Sequence, residues 1–320
     1  MYGSLPRSYF IWPALILVIG LILPGFFNNY ALYVGSVLMT YAVLALGLDL
    51  IMGRAGQFAF SHIAFYAIGA YTPALLQSRY GIPFPVGLLA GIALSSIIAT
   101  LLAKASVRMR HIYLGLATVA FASGIHWVFS NWRSFTGGVE GLRLHPADFV
   151  LFRATGDQTN FMVLAVIFAL VLLGTFYLTR SKLGRSLAAI RDSEHVAAVS
   201  GISVERTKIW IFVISSAYAS IAGSMLVVFN SFISPDNFTF APAVLLLTML
   251  VVGGMGSIPG VLIGAFVLGL LPEFLRTAMK DYLIWQEFVY GLILVLSITL
   301  MPQGIWGLIK QIFEKRQAAK

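Results

Sequence analysis

The stretch FMVLAVIFALVLLGTFYLTRSKLGRSLAAIRDSEHVAAVSGISVERTK, residues 161–208, sets an uncharged apolar run directly beside a charged island. The run has the length of a membrane crossing, since about 20 apolar residues span a bilayer core. The island, from Arg180 to Lys208, holds six of the chain's 21 Lys and Arg and three of its 12 Asp and Glu. Its apolar Leu187, Ile190 and Ala198 recur among Arg185, Arg191 and Glu194, which predicts a short amphipathic helix. Ser193 reads as an N-cap, and Gly201 sits where a helix would stop in the left-handed conformation. Two readings fit on composition alone: a solvated loop between spans, or a helix shaped to dock against another protein.

Working outward, the same alternation repeats along the whole chain. Hydrophobic residues make up 59% of it and charged residues only 10%, where soluble domains carry roughly 25% charge. The expected class is an all-α polytopic membrane protein. Ten spans are read at 10–27, 31–52, 57–77, 84–104, 112–130, 161–179, 209–230, 241–253, 258–272 and 283–301. They form one transmembrane domain over residues 1–309, with an inner loop at 180–208 and an outer loop at 131–160. A short basic tail, 310–320, follows. With both termini inside, only Arg79, Arg133, Arg143, Arg153, Arg276 and Lys280 of the 21 basic residues fall outside, as the positive-inside rule requires. The net charge of +9 therefore describes topology and does not call for nucleic acid. A cleavable signal peptide is not expected, because the first run lacks a small-residue cleavage site and further spans follow.

Two segments are specialised. In GRAGQFAFSHIAFYAIGAYTPALL (53–76), small residues including Gly53, Gly56 and Gly69 alternate with polar Gln57, Ser61, His62 and Thr72. Such residues let backbones approach closely, or line a path. In SPDNFTFAPAVLLLTMLVVGGMGSIPGVLIGAFVLG (234–269), two short apolar halves meet at a turn containing Gly253, Gly254 and Gly256. Irregular backbone at the membrane edge is tolerated only against protein or water. Gln57–Ser61 and Asn237–Ala241 also share the order amide, Phe, small, Phe, small, each opening a span. The two spans run in opposite directions, the signature of an inverted repeat of spans 2–5 against 7–10. Chance matching of Phe in a Phe-rich chain stands as the other explanation.

The chemistry is bounded by what is missing. There is no G-x-x-x-x-G-K-[ST] phosphate loop, no H-E-x-x-H and no cysteine, and no intramembrane carboxylate cluster. No catalytic or metal-ligating residue is therefore nominated. Ion coupling would require ionisable groups inside the membrane. Asp49 is the sole candidate, and its place near the inner end of span 2 suits reaching water or pairing with Arg54. His62 reads as either a helix–helix hydrogen-bonding residue or a substrate contact. The chain looks like a transporter body without an energy source of its own. An ion-coupled secondary transporter and a membrane-embedded enzyme are the competing classes, and each lacks its parts.

From about Leu38 to Leu300 the chain resembles the integral-membrane permeases of branched-chain amino acid ABC importers. The resemblance is carried by GLDLIMGRAGQFAFSHIAFYAIGAY (47–71), TGGVEGL (136–142), GRSLAAIRDSEHVAAVSGI (184–202), SFISPDNFTF (231–240) and VVGGMGSIPGVLIGA (251–265). The chain departs from the family pattern at Asp49, Ser61 and Val139.

The resemblance implies a subunit of an ATP-driven importer in the bacterial cytoplasmic membrane. Its cargo would be branched-chain or similar apolar amino acids, with urea, short amides or aromatic acids as alternatives. It implies a second related permease, two ATPase subunits that use ATP and Mg, and an external solute-binding protein, all embedded in or apposed to membrane lipid. No cofactor is expected on this chain. The resemblance makes the island a cytoplasmic coupling helix, with Gly184, Arg185, Ala188, Ile190, Arg191, Glu194, Ala197 and Gly201 facing or holding the ATPase. It also turns Thr136, Gly137, Gly138 and Glu140 toward the binding protein. Phe58, Phe60, Phe65 and Tyr66 would line an apolar path, with Gln57, Ser61 and His62 offering hydrogen bonds, unless they are simply packing residues.

Overall fold

The computed structural model describes residues 8–106, 111–150, 152–278, 282–300 and 304–318. Arg7, Arg108, Arg110, Lys280 and the last two residues of the basic tail, all used in the topology reading, lie outside the described residues. The apolar runs become helices that stop at the Gly, Pro and polar breaks. Five precede the outer loop: α1 (Ser8–Ile22), α2 (Asn29–Leu48), α3 (His62–Tyr80), α4 (Phe84–Ser106) and α5 (His111–Asn131). The outer loop opens on a single turn, α6 (Arg133–Thr136), and α7 (Asp157–Arg180) leads back to the island. The island itself is helical in two pieces, α8 (Lys182–Asp192) and α9 (Glu194–Val199). Then come α10 (Val204–Phe229), α11 (Phe240–Gly253), α12 (Ile258–Ala278), α13 (Tyr282–Leu300) and α14 (Gly304–Ala318).

Helices thus occupy all ten expected segments. Among the described residues, six are both long and apolar enough to cross a membrane, at 29–54, 84–105, 113–131, 157–180, 204–229 and 235–253. The apolar helix at 258–274 is shorter.

Several boundaries differ from the sequence expectation, two of them beside the charged island. Helix α2 does not end near residue 52 but runs into a π-helical turn, Asp49–Arg54. The third span does not begin at 57: its helix starts at His62. Gly56 takes a left-handed φ of 66°, and a residue in that conformation breaks a right-handed helix. The chain then runs non-helically through Gln57–Phe60, held by Gln57 N–H on the Ile51 carbonyl (3.0 Å) and Phe60 N–H on the Thr118 hydroxyl (3.0 Å). The periodicity of small and apolar residues continues across this segment, so pattern alone could not reveal the break.

Helix α10 is the centre of the molecule, packing on α2, α3 and α4, while α2 packs on α7, α11 and α12. Small residues make the closest crossing possible. Gly223 of α10 sits on the Tyr66 carbonyl and the Ala70 amide of α3, and Ser224 donates to the Gly69 carbonyl at 2.9 Å. A Cβ at Gly69 or Gly223 would overlap backbone atoms of the facing helix. Without a hydrophobic drive between helices in lipid, such close contact and interhelical hydrogen bonding hold the bundle.

Leu142–Arg143 (β1) and Phe232–Ile233 (β2) pair antiparallel and tie the 131–160 loop to the segment before α11. The faces of α4 and α5 are largely uncovered, with Leu89, Ile97, Leu101, Leu116 and Trp127 exposed. Apolar surface of this kind suits lipid or another membrane subunit.

Candidate functional site

The island is fastened to the body by one face and open on the other. Ser181 caps α8 by accepting from the Gly184 amide (3.3 Å), and Ser193 caps α9 by accepting from the Val196 amide (3.4 Å). Gly184 packs against the last carbonyls of α7, leaving no room for a side chain. Gly201 has a φ of 81°. Leu187, Ile190 and Ala197 are buried against the body, whereas Arg185, Ala188 and Gly201 are exposed. Ile190 and Ala197 therefore hold the island in place and do not face outward. Glu194 pairs with Lys208 of α10 at 2.6 Å while its own side chain stays 39% exposed. Val196 (62% exposed) and Val199 (87%) complete the outward face. Sequence reading missed both, although two valines on a water-facing island were the available signal.

Beneath the island lies a joint of which the sequence foretold only the Asp49–Arg54 pair. Asp49 is 1% exposed and does not reach water as expected, although its pairing with Arg54 is present. Its Oδ2 accepts from Arg54 Nε at 3.0 Å, and its Oδ1 accepts from the Gly256 amide at 2.6 Å. Arg191 of α8 donates to the Gly53 carbonyl, one turn from Asp49. The two glycine turns, Gly53–Gly56 and Gly253–Gly256, are thus neighbours in space. A Cβ on Gly53 would collide with the Asp49 carboxylate and the Gly256 amide, and one on Gly256 with the Arg191 guanidinium. Gly254 and Gly256 carry φ values of 113° and 84°, which fold α12 back along α11. One buried carboxylate therefore joins the end of α2 to the α11–α12 turn, and Arg191 joins both to the island.

The nominated path residues divide. Phe65 is buried against Phe121 and Phe212, and Tyr66 against Phe238, so both are packing residues. His62 is buried among α2, α3 and α10. Its Nε2 donates to the Leu44 carbonyl at 2.9 Å, and its Nδ1 lies 3.3 Å from the Ser215 hydroxyl. That hydroxyl donates to the Gly47 carbonyl at 2.8 Å. His62 joins α3 to α2 and α10. Gln57 and Ser61 are buried, and Phe58 is 53% exposed. Phe60 meets Phe240 at a ring separation of 6.1 Å, bringing the two amide–Phe–small–Phe–small segments together. Beside them opens a cavity of about 270 Å³ whose wall includes Phe60, Phe238, Thr239 and, from α5, Ser123 and His126. The α5 residues were not among the sequence candidates.

The outer loop is built rather than slack. Thr136 is buried, donates to the Phe129 carbonyl at 2.7 Å and accepts from the Gly138 amide at 3.2 Å. Gly137 and Gly138 take φ values of 79° and 60°, while Glu140 and Val139 are exposed. Arg79 braces the turn by donating to the carbonyls of Ser134 and Phe135, at 2.5 and 2.7 Å.

The sequence is similar to those of known proteins. Residues 30–298 match the family model described as branched-chain amino acid transport system / permease component. The chain is 32% identical to the high-affinity branched-chain amino acid transport system permease protein LivM of Salmonella typhimurium, over 91% of this chain and 73% of that protein. With LivM of Escherichia coli K12 it shares 30% identity, over 95% of this chain and 77% of the relative. With LivH of the same organism it shares 28%, over 84% and 91%. No solved structure gives a significant match.

Proposed function

The chain belongs to the family of branched-chain amino acid transport system permease components, and from that premise we propose how it works. It is a permease subunit of an ATP-binding-cassette importer for branched-chain amino acids. It pairs with a second permease of the same family, with two ATPase subunits on the cytoplasmic side and with a solute-binding protein outside. No phosphate loop occurs in its own sequence, so ATP and Mg belong to the ATPase subunits.

The observation that carries the mechanism is that the island has one fastened face and one open face. Buried Leu187, Ile190 and Ala197 make it one body with the membrane helices, while Val196, Val199, Ala188 and Arg185 form an outward face for the ATPase. A rigid docking helix transmits displacement instead of absorbing it. The displacement passes through Arg191 to the Gly53 carbonyl, and from the Asp49 carboxylate to Gly256. Both contacts fall at glycine turns, where backbone rotation costs least. The outcome is a change in which side of the permease pair is open.

The chain crosses the cytoplasmic membrane ten times with both termini inside, as an inverted repeat of spans 2–5 and 7–10. Supporting this are the packing of α10 on α3 and α4 and of α2 on α11 and α12, and the meeting of Phe60 with Phe240. Transporters of this architecture bind where interrupted helices meet. Because the chain has no cysteine, single cysteines at Val139, Val199 and Ser257 report the sidedness directly. An impermeant thiol reagent applied to intact spheroplasts is expected to label only the cysteine at 139. Labelling at 199 from outside would remove the island from the cytoplasm and overturn the mechanism.

A further inference from the structure

We propose that the C-terminal helix α14 is a docking surface for the acidic phospholipid headgroups of the inner leaflet. The proposal rests on the ten-span reading with the C-terminus inside, and goes beyond it by giving the last helix a partner. Three observations carry it: where the helix starts, which part of its apolar face is left uncovered, and how charge is set around that face.

Helix α13 ends at Leu300 and α14 begins at Gly304, a separation that extended chain spans by no more than about 14 Å. The start of α14 therefore lies at the membrane surface where the last span ends. A close contact fixes its level. Gly304 takes a left-handed φ of 66°, and a Cβ there would overlap the backbone of Gly253 and Gly254 in the α11–α12 turn. One on Gly260 of α12 would crowd Trp306. The same turn gives its Gly256 amide to Asp49 and lies beside Arg191 of the island. Helix α14 and the island thus sit on one side of the molecule.

The sequence GIWGLIKQIFEKRQA is amphipathic at helical spacing. By register, its apolar residues fill one face, from Leu308 at one edge to Trp306 at the other. Ile305, between these edges, packs on the core, but Leu308 stays 40% exposed. By the same register Lys315 borders the Leu308 edge and Lys310 the Trp306 edge, with Glu314 on the far side. Arg316 follows, so the helix carries three basic residues against one acid and is net positive. A helix bordered in this way lies in the headgroup layer, its apolar edge at the acyl boundary and its basic heads reaching phosphate. Each basic residue close to an acidic leaflet strengthens attachment about fivefold. A lipid surface suits this helix better than a protein groove, because positive charge borders both edges of the apolar face and the last span ends beside it.

The test places a polarity-sensitive fluorophore on a single cysteine, Leu308→Cys, in the full chain reconstituted in nanodiscs. In discs with about one-third phosphatidylglycerol in phosphatidylcholine, emission is expected to lie further to the blue than in discs of phosphatidylcholine alone, as the leaflet's surface charge draws the helix in. Adding Lys310→Gln, Lys315→Gln and Arg316→Gln should weaken attachment roughly a hundredfold and abolish the difference between the two lipids. Lys310→Arg, Lys315→Arg and Arg316→Lys together should keep it, which separates loss of charge from loss of the helix. Equal emission in both lipids, or an undiminished difference in the glutamine variant, overturns the proposal. So does a blue shift in neutral discs that appears only when the ATPase subunits or a second permease are added, which would give the face to a protein. The fluorophore reads α14 and not uptake, so the importer reading stands or falls separately. Labelling of the same cysteine from outside intact spheroplasts would overturn the ten-span reading itself.

Discussion

Asp49→Ala is expected to lower the stability of the permease by about 3 kcal/mol and to abolish transport, because breaking a buried ion pair strands the remaining charge. In the native chain the carboxylate satisfies two groups at once, Arg54 Nε and the Gly256 amide. Alanine leaves both without a partner in a space that Gly53 and Gly256 keep tight around the missing oxygens. Arg54 retains some access to water (20% exposed), which holds the cost near the lower end of the range for buried pairs. Asp49→Asn keeps an oxygen to accept from Gly256 but not the charge beside Arg54, so it should recover part of the loss. Thermal unfolding of the purified assembly, read beside leucine uptake, checks the order wild type, Asn, Ala. An alanine variant as stable as wild type would show that the joint contributes nothing.

The second large effect is expected on the opposite face of the same device. Val196→Glu combined with Val199→Glu should reduce ATP-driven uptake at least roughly a hundredfold, the loss of about 2–3 kcal/mol that truncating an interface hot spot produces. Both side chains point away from the body and are largely exposed. Surface substitutions of this kind change stability by no more than about 0.5 kcal/mol, so membrane insertion and thermal unfolding should match wild type. The ATPase subunits should fail to co-purify with the variant. The two predictions therefore separate a residue that transmits motion within the permease from residues that receive it. Normal uptake by the double variant would place ATPase docking elsewhere.

The helices and the island were legible in the sequence because their signals are local. Apolar runs of spanning length, a Ser at the start of α9 and a Gly at its end all act over a few residues. The inward turn of Ile190 follows from its spacing of three from Leu187, and both are buried. Other features depend on contacts distant in sequence and left no local trace. Asp49 looked interfacial because its depth was counted along one helix, yet the α11–α12 turn closes over it from Gly256, 207 residues later. The non-helical entry at Gln57–Phe60 is held in part by Thr118, on another helix. The matching Phe segments were visible as a pattern, but their meeting, and the contribution of His126 to the cavity beside them, came only from packing. Phe65 and Tyr66 were nominated by chemistry that serves a core as well as a path, and here they serve the core.

The most direct test of the central claim is leucine uptake by proteoliposomes containing this chain with its second permease, its ATPase subunits and its external binding protein. Uptake should require ATP on the ATPase side and the binding protein on the other, should persist when proton and sodium gradients are collapsed, and should vanish when the ATPase subunits are omitted. Accumulation of leucine by this chain alone, driven by an ion gradient, would contradict the account.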